Sequence, residues 1–113
     1  DLSSSIDDVI GQSFAFSGLG DVEFDSGNLD AARAYYEKSL AAAAKVSASE
    51  NEAVALEGLG DVAEKQGDKA QAIARYLDAS SIYSNMGIAA DVSRLDAKMA
   101  RNGAAPSPEG AEH

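Results

Sequence analysis

The chain has 113 residues, of which 45% are hydrophobic and 25% are charged, so it has room for one domain with one modest core. Its formal charge of −10 disfavours nucleic acid and anionic membrane surfaces as partners. Cysteine is absent, which excludes disulfides and thiolate zinc sites. No apolar run approaches the roughly 18 residues of a membrane span, and a cytoplasmic protein is expected.

A first helix is signalled close to the start of the sequence. Residues Ser5 to Asp8 have the Ser-x-x-Asp form of a helix start, which predicts a helix from about Ile6 to about Ser26. Apolar residues three apart along it indicate one buried face, and these are Phe16, Leu19 and Val22. Gly27 can close this helix in a left-handed conformation, and Asn28 can cap the next one.

A second helix follows, and the pair then repeats. The second helix has apolar residues at helical spacing, namely Leu29, Ala32, Tyr36 and Leu40. Ser49 to Glu52 gives another helix-start signal. The second pair carries Leu56, Leu59 and Val62, then the turn Gly67-Asp68, then Ala72, Ile73, Tyr76 and Ala79. The sequence therefore predicts two antiparallel helix pairs.

An internal duplication supports this interpretation. Gly-Leu-Gly-Asp-Val occurs at Gly18–Val22 and again at Gly58–Val62, a spacing of 40 residues. In the same register Tyr36 aligns with Tyr76. Gly20 and Gly60 fall inside helices, where glycine costs on the order of 1 kcal/mol relative to alanine. We therefore expect a partner helix to approach closely at both glycines.

A fifth helix is predicted after the second pair. Ile88, Val92, Leu95 and Met99 share one helical face, so the helix spans about 88–101. The remaining residues, 102–113, are rich in glycine, alanine and proline and are expected to form a flexible tail. The single histidine of the chain lies in this tail.

These residues resemble the tetratricopeptide repeat, in a longer branch with repeats of about 40 residues. The first copy supplies Phe16, Leu19-Gly20, Gly27-Asn28, Ala32, Tyr36 and Ser39. The second supplies Leu56, Leu59-Gly60, Gly67-Asp68, Ala72, Tyr76 and Ala79. The family's late aromatic is replaced by Glu23 and Ala63, and its closing proline is missing.

The resemblance covers roughly residues 6–100 and implies an all-α superhelix. One domain, residues 1–101, would contain repeats at about 6–46 and 49–86 and a capping helix at about 88–101. Helices in such arrays stack as antiparallel pairs, each against its neighbours.

Motifs for catalysis and for metal or cofactor binding were tested and fail. The alternating carboxylates from Asp21 to Asp25 suggest a calcium loop, but its sixth and twelfth positions are Ser26 and Ala32. Gly18-Leu-Gly20 lacks the third glycine of a dinucleotide loop and lies within a helix. His113 has no orienting partners nearby in sequence. We expect no catalytic residue, no metal site and no cofactor.

The resemblance instead implies a concave groove that binds a peptide or helix of a partner protein. The groove residues would be Phe14, Ser17, Asp21, Phe24 and Asp25 from the first repeat and Val54, Glu57, Asp61, Glu64 and Lys65 from the second. Five carboxylates against one lysine predict an acidic groove that suits a basic segment. Alternatively, these carboxylates only solvate one face.

Two further functions remain open at this stage. Two and a half repeats bury little surface, so the chain could self-associate as a homo-oligomer or serve as an assembly scaffold. The surfaces expected for this are the outer faces of helix one (Val9, Ile10, Phe14) and helix five (Ile88, Val92, Met99). Similarity to repeats in bacterial regulators also suggests a regulatory segment of a larger signalling protein.

Overall fold

A computed structural model describes the backbone of residues 2–104 and the side chains from Ser5 onward. Five α-helices make up its regular structure, namely α1 (Leu2–Asp25), α2 (Leu29–Lys45), α3 (Ser49–Lys65), α4 (Lys69–Met86) and α5 (Ala89–Arg101). Helices that follow one another along the chain pack together, and α1 also contacts α3. The predicted all-α architecture and the order of its helices are confirmed. The first helix begins several residues earlier than predicted.

The turns within the two pairs are alike in backbone but differ in their caps. Gly27 and Gly67 have φ angles of 84° and 83°, the left-handed conformation expected of them. The Asp68 side chain accepts a hydrogen bond from the Gln71 backbone N at 3.1 Å, as predicted for a cap. Asn28 makes no such bond. The first turn therefore depends on backbone hydrogen bonds alone.

Each helix pair has one core tyrosine at the equivalent position, Tyr36 in the first pair and Tyr76 in the second. One hydrophobic cluster joins α2 to α3 and contains Ala32, Tyr36, Leu59 and Val62. The second joins α3, α4 and α5 and includes Leu56, Ala72, Tyr76, Tyr83, Leu95 and Met99. Most of the other core residues are alanines, which allow the helices to lie close together. The tyrosines therefore supply much of the side-chain volume.

The helical glycines make room for these tyrosine rings. A Cβ atom built on Gly20 or Gly58 would lie 2.7 or 2.5 Å from Cε1 of Tyr36, and one on Gly60 would lie 2.5 Å from Cε1 of Tyr76. Such distances are too short for any real side chain. The predicted close approach at Gly20 and Gly60 is present, and a tyrosine ring makes it.

The α5 helix completes the second pair and extends its packing slightly beyond Arg101. Leu95 and Met99 are buried, and Ile88 and Val92 pack against the same cluster. Asn102 is also buried, and its side-chain amide donates to the Lys98 carbonyl at 2.8 Å. Ordered contacts therefore continue past the point where the tail was expected to begin. Residues 105–113, which include His113, lie outside the described part of the chain.

Two of the three α1 residues that the sequence predicts on a buried face, Leu19 and Val22, are exposed, and the third, Phe16, is half-buried. The exposed fractions of Leu19 and Val22 are 44% and 60%, whereas Leu59 and Val62, 40 residues later, are only 5% and 2% exposed. The difference has a simple cause, since α3 packs against α2 of the first pair and no earlier pair covers α1 in this structure. The periodicity of the sequence correctly predicted that these residues share one apolar face, but it could not show whether a neighbouring helix covers that face.

Candidate partner-binding surface

Helices α1, α3 and α5 together form an open depression of about 470 Å³. It is lined by Phe24 from α1, by Asp61, Glu64 and Lys65 from α3, and by Arg101 from α5. Four of these five residues are among those predicted to line a groove. The depression thus combines one aromatic side chain with charges of both signs, a composition suited to a polypeptide rather than to a small apolar molecule.

Three carboxylates of α3, those of Glu57, Asp61 and Glu64, are paired with cations of α5. Glu57 accepts from Nη2 of Arg94 at 2.7 Å and from Nζ of Lys98 at 2.8 Å. Lys98 also lies 3.0 Å from Asp61. Burial disfavours the ionised form of Glu57, but the hydrogen bonds from Arg94 and Lys98 outweigh it and lower the pKa of Glu57. These carboxylates therefore belong to an internal ion-pair network.

Glu64 pairs with Arg101 through two hydrogen bonds, as Glu57 does with Arg94. Nε and Nη2 of Arg101 donate to its two carboxylate oxygens at 2.6 and 2.7 Å, a bidentate arrangement. The hydrogen bonds from Arg101 lower the pKa of Glu64 to about 2. No sequence pattern indicated these pairs, because they join residues 37 or 41 positions apart and depend on where α5 docks.

Two of the core tyrosines, Tyr36 and Tyr76, donate their hydroxyl groups to carboxylates on the same side of the molecule. Tyr76 donates to Asp61 at 2.7 Å and to Glu64 at 2.9 Å, and Tyr36 donates to Asp21. Burial and then the adjacent carboxylates raise the pKa of both tyrosines well above the usual range. The 15-residue spacing, present in both repeats, is the signal that could have revealed this pairing.

Ser17 lies away from the depression, in the interface between α1 and α2. It is buried, and its hydroxyl lies 2.7 Å from the hydroxyl of Ser39. Ser39 donates to the carbonyl of Ser13 at 2.7 Å, and the hydroxyl of Ser13 donates to the carbonyl of Ser39 at 3.0 Å. This network occupies the polar atoms of Ser17, so a ligand in the depression cannot reach them.

The other predicted groove residues differ in exposure. Phe14, Asp25 and Lys65 are exposed, and Val54 is half-buried. Among the described residues, the ion pairs include neither Asp21 nor Asp25. Near the depression, the cations of α5 balance the carboxylates of Glu57, Asp61 and Glu64 on α3. The unpaired negative charge there therefore lies on α1.

The surfaces expected for self-association need a correction at helix five. Ile88, Val92 and Met99 face α4 and the core rather than the outside. The periodicity was right but its direction was wrong, because an amphipathic end helix buries its apolar stripe against the preceding pair. On α1, Val9 and Ile10 are half-buried and Phe14 is exposed.

The helix pairs repeat with a period of 40 residues, and each pair turns at a left-handed glycine. A family model for the tetratricopeptide repeat matches residues 12–85. The chain belongs to the tetratricopeptide repeat family. Tetratricopeptide repeats generally act as protein–protein interaction modules. No curated protein and no solved structure matched the chain.

The described residues offer neither a metal site nor a membrane span. No group of three or more histidine, cysteine or acidic side chains in residues 2–104 could hold a metal ion. Within the same range, no helix combines the length and the apolar character needed to cross a lipid bilayer. The depression formed by α1, α3 and α5 contains four of the predicted groove residues and is the candidate partner-binding site.

Proposed function

We propose that this tetratricopeptide repeat domain is a noncatalytic interaction module that binds a peptide or helix of a partner protein. The partner would lie along the side formed by α1 and α3. The observation that carries the proposal is the depression beside Phe24, which lies next to α1 carboxylates that pair with no cation among the described residues. A basic, partly apolar segment complements both features.

Binding is expected to depend mainly on α1. Asp21 and Asp25 are exposed, and both can accept from lysine or arginine. Glu57, Asp61 and Glu64 already bind the cations of α5, so a ligand would have to displace an existing partner to use them. Phe24 is half-buried and supplies an apolar contact between these two regions. The proposed site is therefore smaller than the groove predicted from the sequence, because the paired carboxylates of α3 are not main contacts.

The physical signature of this mode is a strong dependence on salt. Charges at an exposed rim contribute about 0.2–1 kcal/mol each and are screened over roughly 10 Å at 0.1 M salt. They accelerate association more than they slow dissociation. Affinity should therefore fall as salt rises, mainly through the association rate.

A display library of random peptides, selected on the intact domain at low salt, tests the proposal directly. Enriched peptides should carry lysine or arginine beside an aromatic or aliphatic residue. An Asp21→Asn, Asp25→Asn variant should bind them about tenfold more weakly, since each lost rim charge removes up to about 1 kcal/mol. The asparagine introduced at position 21 would keep an acceptor oxygen for Tyr36, so the core should be preserved.

A matched control separates a local effect from the overall charge. Glu37→Gln with Asp78→Asn removes the same charge from exposed positions on α2 and α4. It should leave the affinity nearly unchanged. Equal weakening by both double variants would show that peptides respond only to net charge, and this would refute the proposed site.

A further inference from the structure

One face of α1 is bare, although its duplicate in α3 is covered by a helix. We call it the α1 outer face, and it consists of Ala15, Gly18, Leu19 and Val22, all exposed. The residues 40 positions later, Ala55, Gly58, Leu59 and Val62, are all buried. Because the chain contains both copies, the second shows what kind of surface the first can bury.

In the second copy, the covering element is α2. Ala32 and Tyr36 pack against Leu59 and Val62, and Leu40 lies beside them. These three α2 residues follow one another at intervals of four, so they form one stripe along a helix. An α2-like helix is therefore the shape that this face accommodates.

Gly18 marks the point where an aromatic ring would dock. A Cβ atom built on its duplicate, Gly58, would lie 2.5 Å from Cε1 and 2.6 Å from Cδ1 of Tyr36, so that glycine is required by the ring. A Cβ built on Gly18 would meet nothing within 4 Å. Glycine here costs α1 on the order of 1 kcal/mol, and no neighbour among the described residues requires it. An aromatic ring from another protein, docked at this point, would require it.

The charge of α1 argues against a second copy of this chain as the occupant. Among residues 2–25 are five carboxylates, Asp7, Asp8, Asp21, Glu23 and Asp25, and neither lysine nor arginine. Two α1 helices packed against each other would bring like charges together, which is unfavourable. A helix with lysine or arginine at its edges would instead be attracted.

We infer that the α1 outer face docks an amphipathic helix of a partner protein. The helix carries an aromatic residue, with a small residue four positions before it and an aliphatic one four positions after it. Its edges are basic. The ring lies over Gly18, and the flanking residues cover Leu19 and Val22. The residues of this surface differ from those that line the depression beside Phe24, although both surfaces lie near the carboxylates of α1.

The chain's own α2 sequence supplies the probe. The probe is the peptide of residues 29–45, with a hydrocarbon staple joining positions 34 and 41 and a fluorescein label. It presents the required stripe, and its amino-acid side chains carry a small net positive charge. Ala34 and Ala41 are exposed in the chain, so the staple leaves the stripe unchanged. Fluorescence anisotropy with the full chain should show saturable binding.

Two variants place a side chain or a charge on the α1 outer face. Gly18→Leu fills the position of the ring, and Val22→Asp adds a like charge to an acidic helix. Each should weaken binding about tenfold or more, as should Tyr36→Ala in the peptide. Both protein variants should keep the circular dichroism of the wild type, because both positions are exposed. Leu77→Asp, at an exposed apolar residue of α4, is the matched control and should not alter binding.

Each remaining outcome overturns the inference. The peptide could displace the chain's own α2 and bind at Gly58, and its affinity would then be insensitive to Gly18→Leu. Absence of binding up to about 1 mM would mean an affinity too weak for a docking site. A dimer in sedimentation equilibrium that Val22→Asp dissociates would assign the face to a second copy.

Discussion

Adding a single methyl group at Gly58 should destabilise the domain, whereas adding one at its duplicate Gly18 should stabilise it. Gly58→Ala places a Cβ atom 2.5 Å from the ring of Tyr36. The ring cannot simply move aside, because Gly20 bounds it on another helix and its hydroxyl binds Asp21. Gly18→Ala meets no atom within 4 Å.

The expected magnitudes follow from two opposing effects. Overpacking of a well-packed core costs about 1–3 kcal/mol, and replacing glycine by alanine in a helix returns up to about 1 kcal/mol. Gly58→Ala should therefore lower the free energy of unfolding by about 1–2 kcal/mol. Gly18→Ala has only the favourable effect and should raise it by about 0.5–1 kcal/mol.

Urea unfolding followed by far-UV circular dichroism measures both changes. The slope of the free energy against urea should stay constant, so the shift of the midpoint reports stability alone. With a slope of about 1–3 kcal/mol/M, the two variants should differ in midpoint by roughly 1 M. If Gly58→Ala proved as stable as the wild type, the ring would not be confined as described. In the Tyr36→Leu background, the cost of Gly58→Ala should largely disappear.

Three further predictions use the same unfolding assay. Leu59→Ala should cost about 2–4 kcal/mol and Leu19→Ala less than about 1 kcal/mol, because only the first removes a buried side chain; equal losses would contradict the proposed difference in packing. Hydrogen bonds from α5 lower the pKa of Glu64 from 4.5 to about 2, so its ion pair stabilises the fold above pH 4.5 and is lost as the pH falls towards 2. Glu64→Gln should make stability less dependent on pH in that interval, and an unchanged profile for this variant would count against the pair. Tyr76→Phe should cost about 1–2 kcal/mol through the loss of hydrogen bonds to carboxylates, and a stability equal to the wild type would show that water replaces them.

The sequence predicted the fold because two copies of one pattern agree with each other. Gly27 and Gly67 mark the same turn, and Tyr36 and Tyr76 occupy the same place in the core. A single copy would have left the helix boundaries ambiguous. The duplicate also identified the glycines inside helices as packing positions, which a propensity scale alone would count as unfavourable.

The candidate site was harder to predict, for reasons that concern distance along the chain. Whether Glu64 is free or paired depends on Arg101, a residue that only the docking of α5 brings close. Ser17 is small and polar, so helical position alone could not distinguish a groove residue from a member of a buried hydrogen-bond network. Val22 has the same sequence context as Val62 but no covering helix. Position in a repeat predicts the periodicity of a helix, not which neighbour each of its faces contacts.

The serine network between α1 and α2 gives the domain an uneven resistance to local opening. Ala53 and Ala79 replace Ser13 and Ser39 in the second pair, where the interface is apolar. In a linear array each helix pair is stabilised mainly by its neighbours, and α1 has neighbours on fewer sides than α3. Amide hydrogens of α1 should therefore exchange with solvent sooner than those of α3. A helix docked on α1 would slow that exchange, so recognition by this domain and the folding of its first helix would be one coupled equilibrium.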